Sequence, residues 1–124
     1  MIKKSGRSKK RKSYEGLQED VRKMTLPGIE VWLNKYSDRD YTVTFDTPEF
    51  NCICPKTGLP DFAHIYVEYV PDRSCVELKS FKEYIFSYRD IGIFHEHAVN
   101  RMLEDLARAC KPRWMKVKGV FNTR

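Results

Sequence analysis

The sequence predicts an α+β domain with an antiparallel sheet, and three features of its hydrophobic periodicity support this fold class. Residues 41–47 and 64–70 alternate apolar and polar side chains, as half-buried strands do. Residues 94–110 carry apolar side chains three and four positions apart, which is typical of an amphipathic helix. Because strands and helices do not alternate regularly along the chain, the sheet is predicted to be antiparallel rather than parallel.

The N-terminal part of the chain differs in composition from the rest. Residues 1–12 hold seven of the 23 Lys and Arg residues and no acid, which leaves 16 basic and 17 acidic residues elsewhere, a net charge of −1. We predict that residues 1–25 form a basic, disordered tail and that residues 26–124 form one folded domain. The alternative is a tail that binds nucleic acid or another anionic surface.

The elements after the tail are predicted in chain order. Pro48 is expected to end the first strand, and residues 48–60 are expected to form a structured loop because they contain three prolines and a glycine. After the second strand, residues 75–78 are predicted to be extended. Residues 81–88 form one apolar helical face, and Gly92 ends that short helix.

The long helix of residues 94–110 is expected to stop before Pro112, and residues 114–121 predict a last strand. No stretch approaches the roughly 20 apolar residues of a membrane-spanning helix. Because no secretory signal is visible either, we expect a cytoplasmic protein whose four cysteines are reduced.

Cys54 is the first candidate for chemistry. The Pro- and Gly-rich stretch after it restricts its backbone, and such a loop can present a sulfur to a pocket. Lys56 is close enough in sequence to favour the reactive thiolate. Asp61 lies seven residues on and could return near the sulfur as a proton donor. The alternative is that Cys54 is a small, buried hydrophobic residue.

Two further groups of residues could bind ligands. Glu96 follows His95 at the start of the long helix, and its carboxylate could accept two N–H bonds from a guanine-like edge. Alternatively, Glu96 only interacts with the helix dipole. Lys79, Ser80 and Lys82 lie at the entrance of the short helix, where they could bind an anion or simply form a solvated face.

A zinc site is not predicted. Cys52 and Cys54 could point two thiols the same way, but His95 and His97 lie on different sides of a helix and do not converge. The sequence contains no Cys-x-x-Cys and no His-x-x-x-His pair.

Taken together, residues 49–63, 77–82 and 94–96 resemble the short-chain 7-cyano-7-deazaguanine reductases of queuosine biosynthesis. The resemblance runs from about Tyr41 to Arg124. It implies the tunnelling fold (T-fold), in which an antiparallel sheet carries two helices between strands two and three. It also implies subunits that assemble into oligomeric barrels with active sites between them. Relatives continue past the position of Arg124 with a further strand, without which we expect an unpaired sheet edge.

The resemblance implies NADPH-dependent reduction of the nitrile of 7-cyano-7-deazaguanine to an aminomethyl group. No metal and no direct binding to nucleic acid are expected, and the alternative is a zinc-dependent pterin or purine hydrolase of the same fold. The cysteine before Pro-Lys-Thr-Gly is implied to be the nucleophile that forms a covalent thioimide. The implied catalytic residues are Cys54 and Asp61, the substrate-binding residues Val76, Glu77, Leu78, His95 and Glu96, and the NADPH-binding residues Lys79, Ser80 and Lys82.

Overall fold

The computed structural model describes residues 20–123, and these form two α-helices and five strands in two antiparallel sheets. This confirms the predicted α+β class with antiparallel pairing. The larger sheet has the order β2-β3-β5, and the smaller sheet pairs β1 with β4. The elements are β1 (Val31–Leu33), β2 (Val43–Ile53), β3 (Pro60–Val70), β4 (Ser74–Val76), α1 (Leu78–Phe86), α2 (His95–Cys110) and β5 (Trp114–Phe121).

The core lies between the three-stranded sheet and the helices. Alternate side chains of β3 face inward, and Ile65 and Val67 are fully buried. They lie in the same core cluster as Met102 and Leu106 from the apolar stripe of α2. No helix in the described part of the chain is long and apolar enough to cross a membrane.

Strand β2 is longer than predicted, and the expectation that Pro48 ends it is wrong. The strand runs through Pro48 to Ile53, with a register shift between Thr47 and Phe50. Pro48 is tolerated because β2 is an edge strand with a bulge at this point, where a missing N–H breaks no ladder hydrogen bond. The predicted loop of residues 48–60 is therefore reduced to the turn between β2 and β3.

Residues before the predicted domain boundary at Leu26 also contact the domain. Val21–Lys23 form a short 3-10 helix. The guanidinium of Arg101 on α2 donates to the carbonyl of Val21 at 2.6 Å and to that of Met24 at 2.7 Å. These bonds hold residues 21–24 against α2. The basic residues 1–12 lie outside the described residues.

A buried polar network links the two helices. The Nε atom of Arg101 lies 2.9 Å from the carboxylate of Asp105, and Tyr84 on α1 donates to the same carboxylate at 2.5 Å. The hydroxyls of Tyr84 and Tyr88 are 2.9 Å apart. Burial raises the pKa of both tyrosines, so both stay protonated at any physiological pH. The helical face read from sequence as purely apolar therefore contains a polar cluster.

Candidate functional site

The turn between β2 and β3 fixes the backbone of Cys54. Its N–H donates to the carbonyl of Leu59 at 2.8 Å, and its carbonyl accepts from the N–H of Gly58 at 2.8 Å. Gly58 has a φ of 75°, in the left-handed region that glycine adopts at little cost. Both hydrogen bonds of Cys54 thus depend on the Pro- and Gly-rich composition that drew attention to this segment.

The end of β2 also holds the segment that leads into α2. The N–H of Ile53 donates to the carbonyl of Ile91 at 2.9 Å, and the N–H of Ile93 donates to the carbonyl of Ile53 at 3.0 Å. The thiol of Cys52 lies 3.7 Å from the carbonyl of Ile93. These contacts bring the first turn of α2 beside the end of β2, directly before Cys54.

Asp61 comes from strand β3 and not from the loop. It lies opposite Cys52 in the β2–β3 ladder and is 6% exposed. Its Oδ2 atom is 3.1 Å from Nε2 of His95, at the start of α2. That nitrogen is buried and has no well-aligned hydrogen bond within residues 20–123. We therefore describe Asp61 and His95 as a close buried contact whose charge depends on the protonation of the imidazole.

Cys54 is buried within the single chain. The residue is 2% exposed, contrary to the expectation from the loop composition. The physical reason is that Cys54 directly follows β2, whose inward-facing residues Phe50 and Cys52 are also buried, and continues their alternation. In the single chain, the geometry of Cys54 matches the alternative interpretation of a buried small residue.

Glu96 lies next to His95 in the first turn of α2 and is exposed. Its position near the helix N-terminus stabilises a carboxylate, as the helix dipole predicts. Because Glu96 is exposed and directly follows His95 in the chain, it lies at the same end of α2 as the Asp61–His95 contact. Cys54, Asp61, His95 and Glu96 are thus brought together, and we call them the hairpin group.

The predicted ligand-binding residues 76–80 and 82, which we call the second group, surround the start of α1. Glu77 caps this helix. Its carboxylate accepts from the N–H of Ser80 at 2.8 Å and from that of Lys79 at 3.0 Å. These backbone donors lower the pKa of Glu77. The helix N-terminus that we expected to bind an external anion is therefore already occupied by this chain's own carboxylate.

Two other members of this second group face inward and are not open to a ligand. Ser80 is buried, and its hydroxyl donates to the carbonyl of Glu77 and accepts from the N–H of Glu30, both at 2.8 Å. Val76 is also buried, and its N–H donates to the hydroxyl of Tyr69 at 2.9 Å. The expectation that Ser80 contacts a cofactor directly is not supported by this geometry.

The exposed members of the second group are Leu78, Lys79 and Lys82. Leu78 and Lys82 line a cavity of about 320 Å³ between α1 and the bulge of β2. The ammonium of Lys82 is only 3.7 Å from a carboxylate oxygen of Glu49, and its side chain is 59% exposed. Two exposed lysines on one helical turn carry the positive charge that the phosphates of a dinucleotide such as NADPH require.

No three His, Cys, Asp or Glu side chains of residues 20–123 are grouped as metal ligands. The four cysteines are reduced thiols, and burial raises the pKa of Cys110 to about 11.

Sequence comparisons place the chain in a family. The family described as QueF-like protein matches residues 60–124. A protein named NADPH-dependent 7-cyano-7-deazaguanine reductase from Chlorobaculum tepidum is 57% identical over 96 residues, which cover 77% of this chain and 82% of that protein. The protein of the same name from Nitrosococcus oceani is 55% identical, with 77% and 74% covered.

The chain belongs to the family of NADPH-dependent 7-cyano-7-deazaguanine reductases. A third member, from Syntrophus aciditrophicus, is 48% identical over 114 residues, which cover 86% of this chain and 81% of that protein. Among solved structures, the apo form of the archaeosine synthase QueF-Like has a similar fold, with a TM-score of 0.60 and 29% identity. That match covers 63% of this chain and 77% of the other.

One residue beside the hairpin group was missed by the sequence reasoning. Phe121 was predicted only as part of the last strand, but its ring stacks on His95 with centroids 3.9 Å apart. The available signal was the apolar face that Phe121 shares with Met115 and Val117 in that strand.

Proposed function

We propose that this chain reduces the nitrile of 7-cyano-7-deazaguanine to the aminomethyl group of 7-aminomethyl-7-deazaguanine, with NADPH, in the biosynthesis of the tRNA nucleoside queuosine. The observation that carries the proposal is the hairpin group, in a chain more than half identical to named reductases. There a cysteine, a buried carboxyl contacting an imidazole, and an exposed carboxylate meet at one end of the sheet.

The first chemical step joins Cys54 to the substrate. The thiolate sulfur adds to the nitrile carbon, one π bond of the C≡N group breaks, and its electron pair goes to the nitrogen. We assign Asp61 as the acid that delivers a proton to that nitrogen, which gives a neutral thioimide. The position of Asp61 supports this role, because its carboxyl group is buried and is held 3.1 Å from Nε2 of His95 at this end of the sheet.

The remaining chemistry places a different demand on the site. NADPH, when bound, supplies the two hydride equivalents that convert a nitrile to an amine. Between the two hydride transfers, the C–S bond to Cys54 breaks and the nitrogen lone pair forms the C=N bond of an imine. Water would hydrolyse that imine, so the site must be closed. The exposures of 2% at Cys54 and 6% at Asp61 suit this requirement.

We assign recognition of the deazaguanine base to Glu96, with His95 beside it. A guanine-like edge offers adjacent N–H donors, and a carboxylate with two accessible oxygens can accept both. On the second stretch, we assign substrate contacts to the exposed side chain of Leu78 and to backbone atoms of residues 76–78. Glu77 contributes indirectly, because its carboxylate is engaged in capping α1.

We assign Lys79 and Lys82 to the phosphates of NADPH. Ser80 supports them from inside, since its hydroxyl ties the start of α1 to the segment before β1. We assign this anchoring role to Ser80 within the predicted NADPH-binding residues. Glu49 competes for Lys82 at 3.7 Å, and a bound phosphate would displace that weak, exposed ion pair.

We propose that residues 26–124 form a T-fold catalytic domain that assembles into an oligomeric barrel in the cytoplasm, with active sites between subunits. Within the described residues, β2 and β5 are both edge strands of the larger sheet, and edge strands readily pair with another chain. The substrate would then reach the sulfur over residues 57–60, which are exposed.

The decisive comparison uses the two neighbouring cysteines. NADPH oxidation is followed by absorbance after addition of 7-cyano-7-deazaguanine, and the amine is identified by chromatography. Cys54→Ala is expected to abolish turnover. Cys52→Ala removes a buried thiol two residues away, and this variant is expected to retain turnover. If Cys54→Ala protein still consumed NADPH in a nitrile-dependent way, the assignment would be wrong.

A further inference from the structure

The aromatic ring of Phe121 covers one face of His95. The two rings are almost parallel, with 15° between their planes and 3.9 Å between their centroids. Phe121 also packs on fully buried Phe50, with the two rings almost perpendicular and their centroids 5.9 Å apart. One face of the imidazole is thus fixed by a ring that the core holds in place.

Asp61 contacts His95 at a nitrogen of the imidazole ring. Nε2 of the imidazole sits 3.1 Å from the Asp61 carboxyl but is not well aligned for a hydrogen bond. A small rotation of the ring would decide whether this contact becomes a hydrogen bond or is lost. The orientation of His95 therefore controls the surroundings of the proposed acid.

The Phe121 ring packs directly against Gly119, where there is no room for a side chain. A Cβ atom at position 119 would lie 2.7 Å from Cε1 of Phe121 and 2.9 Å from Cγ2 of Val99. Neither atom can move away easily, since one belongs to a rigid ring and the other to a β-branched side chain. Any side chain at this position would push the Phe121 ring away from its present place.

We infer that Phe121 is a positioning residue, which orients His95 toward Asp61, and that Gly119 is needed for this arrangement. The inference rests on the proposed function, because the orientation matters for proton delivery to the substrate nitrogen. Phe121 is not assigned any contact with substrate or cofactor. Its effect is on the geometry of the acid, and displacement of about 1 Å in a catalytic group can slow a reaction about 100-fold.

The test compares Phe121→Leu, which keeps an apolar side chain without the flat ring, with Phe121→Tyr, which keeps the ring. The rate of covalent adduct formation with 7-cyano-7-deazaguanine is measured without NADPH. Phe121→Leu and Gly119→Ala are expected to slow it by about 10-fold to 100-fold, and Phe121→Tyr to restore it to near the wild-type rate. Phe62→Leu is the matched control, since that ring is 50% exposed on the other face of the sheet.

A second measurement does not depend on the reaction. In NMR spectra, the imidazole protons of His95 should be shifted upfield by the Phe121 ring current in wild type and in Phe121→Tyr, but not in Phe121→Leu. If the wild-type protein formed no adduct, the proposed function would be wrong. The NMR comparison would still show whether Phe121 stacks on His95. The inference is overturned if Phe121→Leu keeps the wild-type rate of adduct formation, or if its His95 resonances are unchanged.

Discussion

Two arginines of α2 bind the same carboxylate from very different environments, and this allows a matched test of the buried network. Arg101 is 8% exposed and Arg108 is 69% exposed, while the Asp105 carboxylate between them is 9% exposed. Each guanidinium comes within 2.9 Å of that carboxylate. The same substitution at the two positions therefore removes the same type of ion pair, once inside the domain and once at its surface.

The two substitutions are expected to lower the stability by different amounts, because Arg101 is buried and Arg108 is exposed. Arg101→Met leaves the buried carboxylate with less compensation and removes the donors to the carbonyls of Val21 and Met24. Breaking a buried pair costs about 3–5 kcal/mol, whereas an exposed pair contributes about 0.2–1 kcal/mol. With about 4–8 °C in Tm per kcal/mol for a domain of this size, Arg101→Met should lower Tm by at least about 12 °C and Arg108→Met by less than about 8 °C.

Thermal unfolding followed by circular dichroism measures both shifts. All samples should be compared at one protein concentration, because the Tm of an oligomer depends on concentration. Arg101→Met should also increase proteolysis near residues 21–24, since it releases the carbonyls that hold this segment. Equal Tm shifts for the two variants would refute the argument that burial of this pair, and not merely its presence, stabilises the domain.

Three further predictions concern the two groups of site residues. Asp61→Asn should slow covalent adduct formation by about 100-fold or more in stopped-flow measurements, because the amide cannot supply the proton; an unchanged rate would exclude Asp61 as the acid. Glu96→Gln should raise the Kd for the nitrile substrate by about 10-fold in calorimetry, since one charged acceptor is lost, while a variant that binds normally would contradict the assignment. Glu77 has a lowered pKa in the folded chain, so its capping stabilises the protein above about pH 4.3 and is lost as the pH falls through the folded value. Wild type should therefore be more stable than Glu77→Gln in urea unfolding at pH 7, and the two should converge at low pH; a difference independent of pH would argue against the cap.

The regular elements were largely predictable because their side-chain periods are strong. The last strand has the predicted limits, and α2 begins one residue after the predicted start. The end of the first strand was predicted wrongly at Pro48, because a proline lacks the N–H that a central strand needs. The sequence does not reveal that β2 is an edge strand with a bulge, where a proline is tolerated. The pairing of β1 with β4 was also missed, since a three-residue strand is too short to show alternation.

The contacts among the candidate site residues could not be predicted from the sequence. Asp61 and His95 meet only because the β2–β3 register and the start of α2 coincide in space, and no local pattern encodes that meeting. Glu77 was expected to face a ligand, although a carboxylate two and three residues before two free helix N–H groups is also a capping arrangement. The burial of Ser80 likewise depends on Glu30, fifty residues earlier in the chain.

The most direct test of the central claim is intact-protein mass spectrometry after mixing the chain with 7-cyano-7-deazaguanine in the absence of NADPH. The account predicts a mass increase of one substrate per chain in wild type and in Cys52→Ala, located by peptide mapping at Cys54, and no increase in Cys54→Ala. A wild-type protein that binds the nitrile without gaining mass, or an adduct that maps to another cysteine, would contradict it.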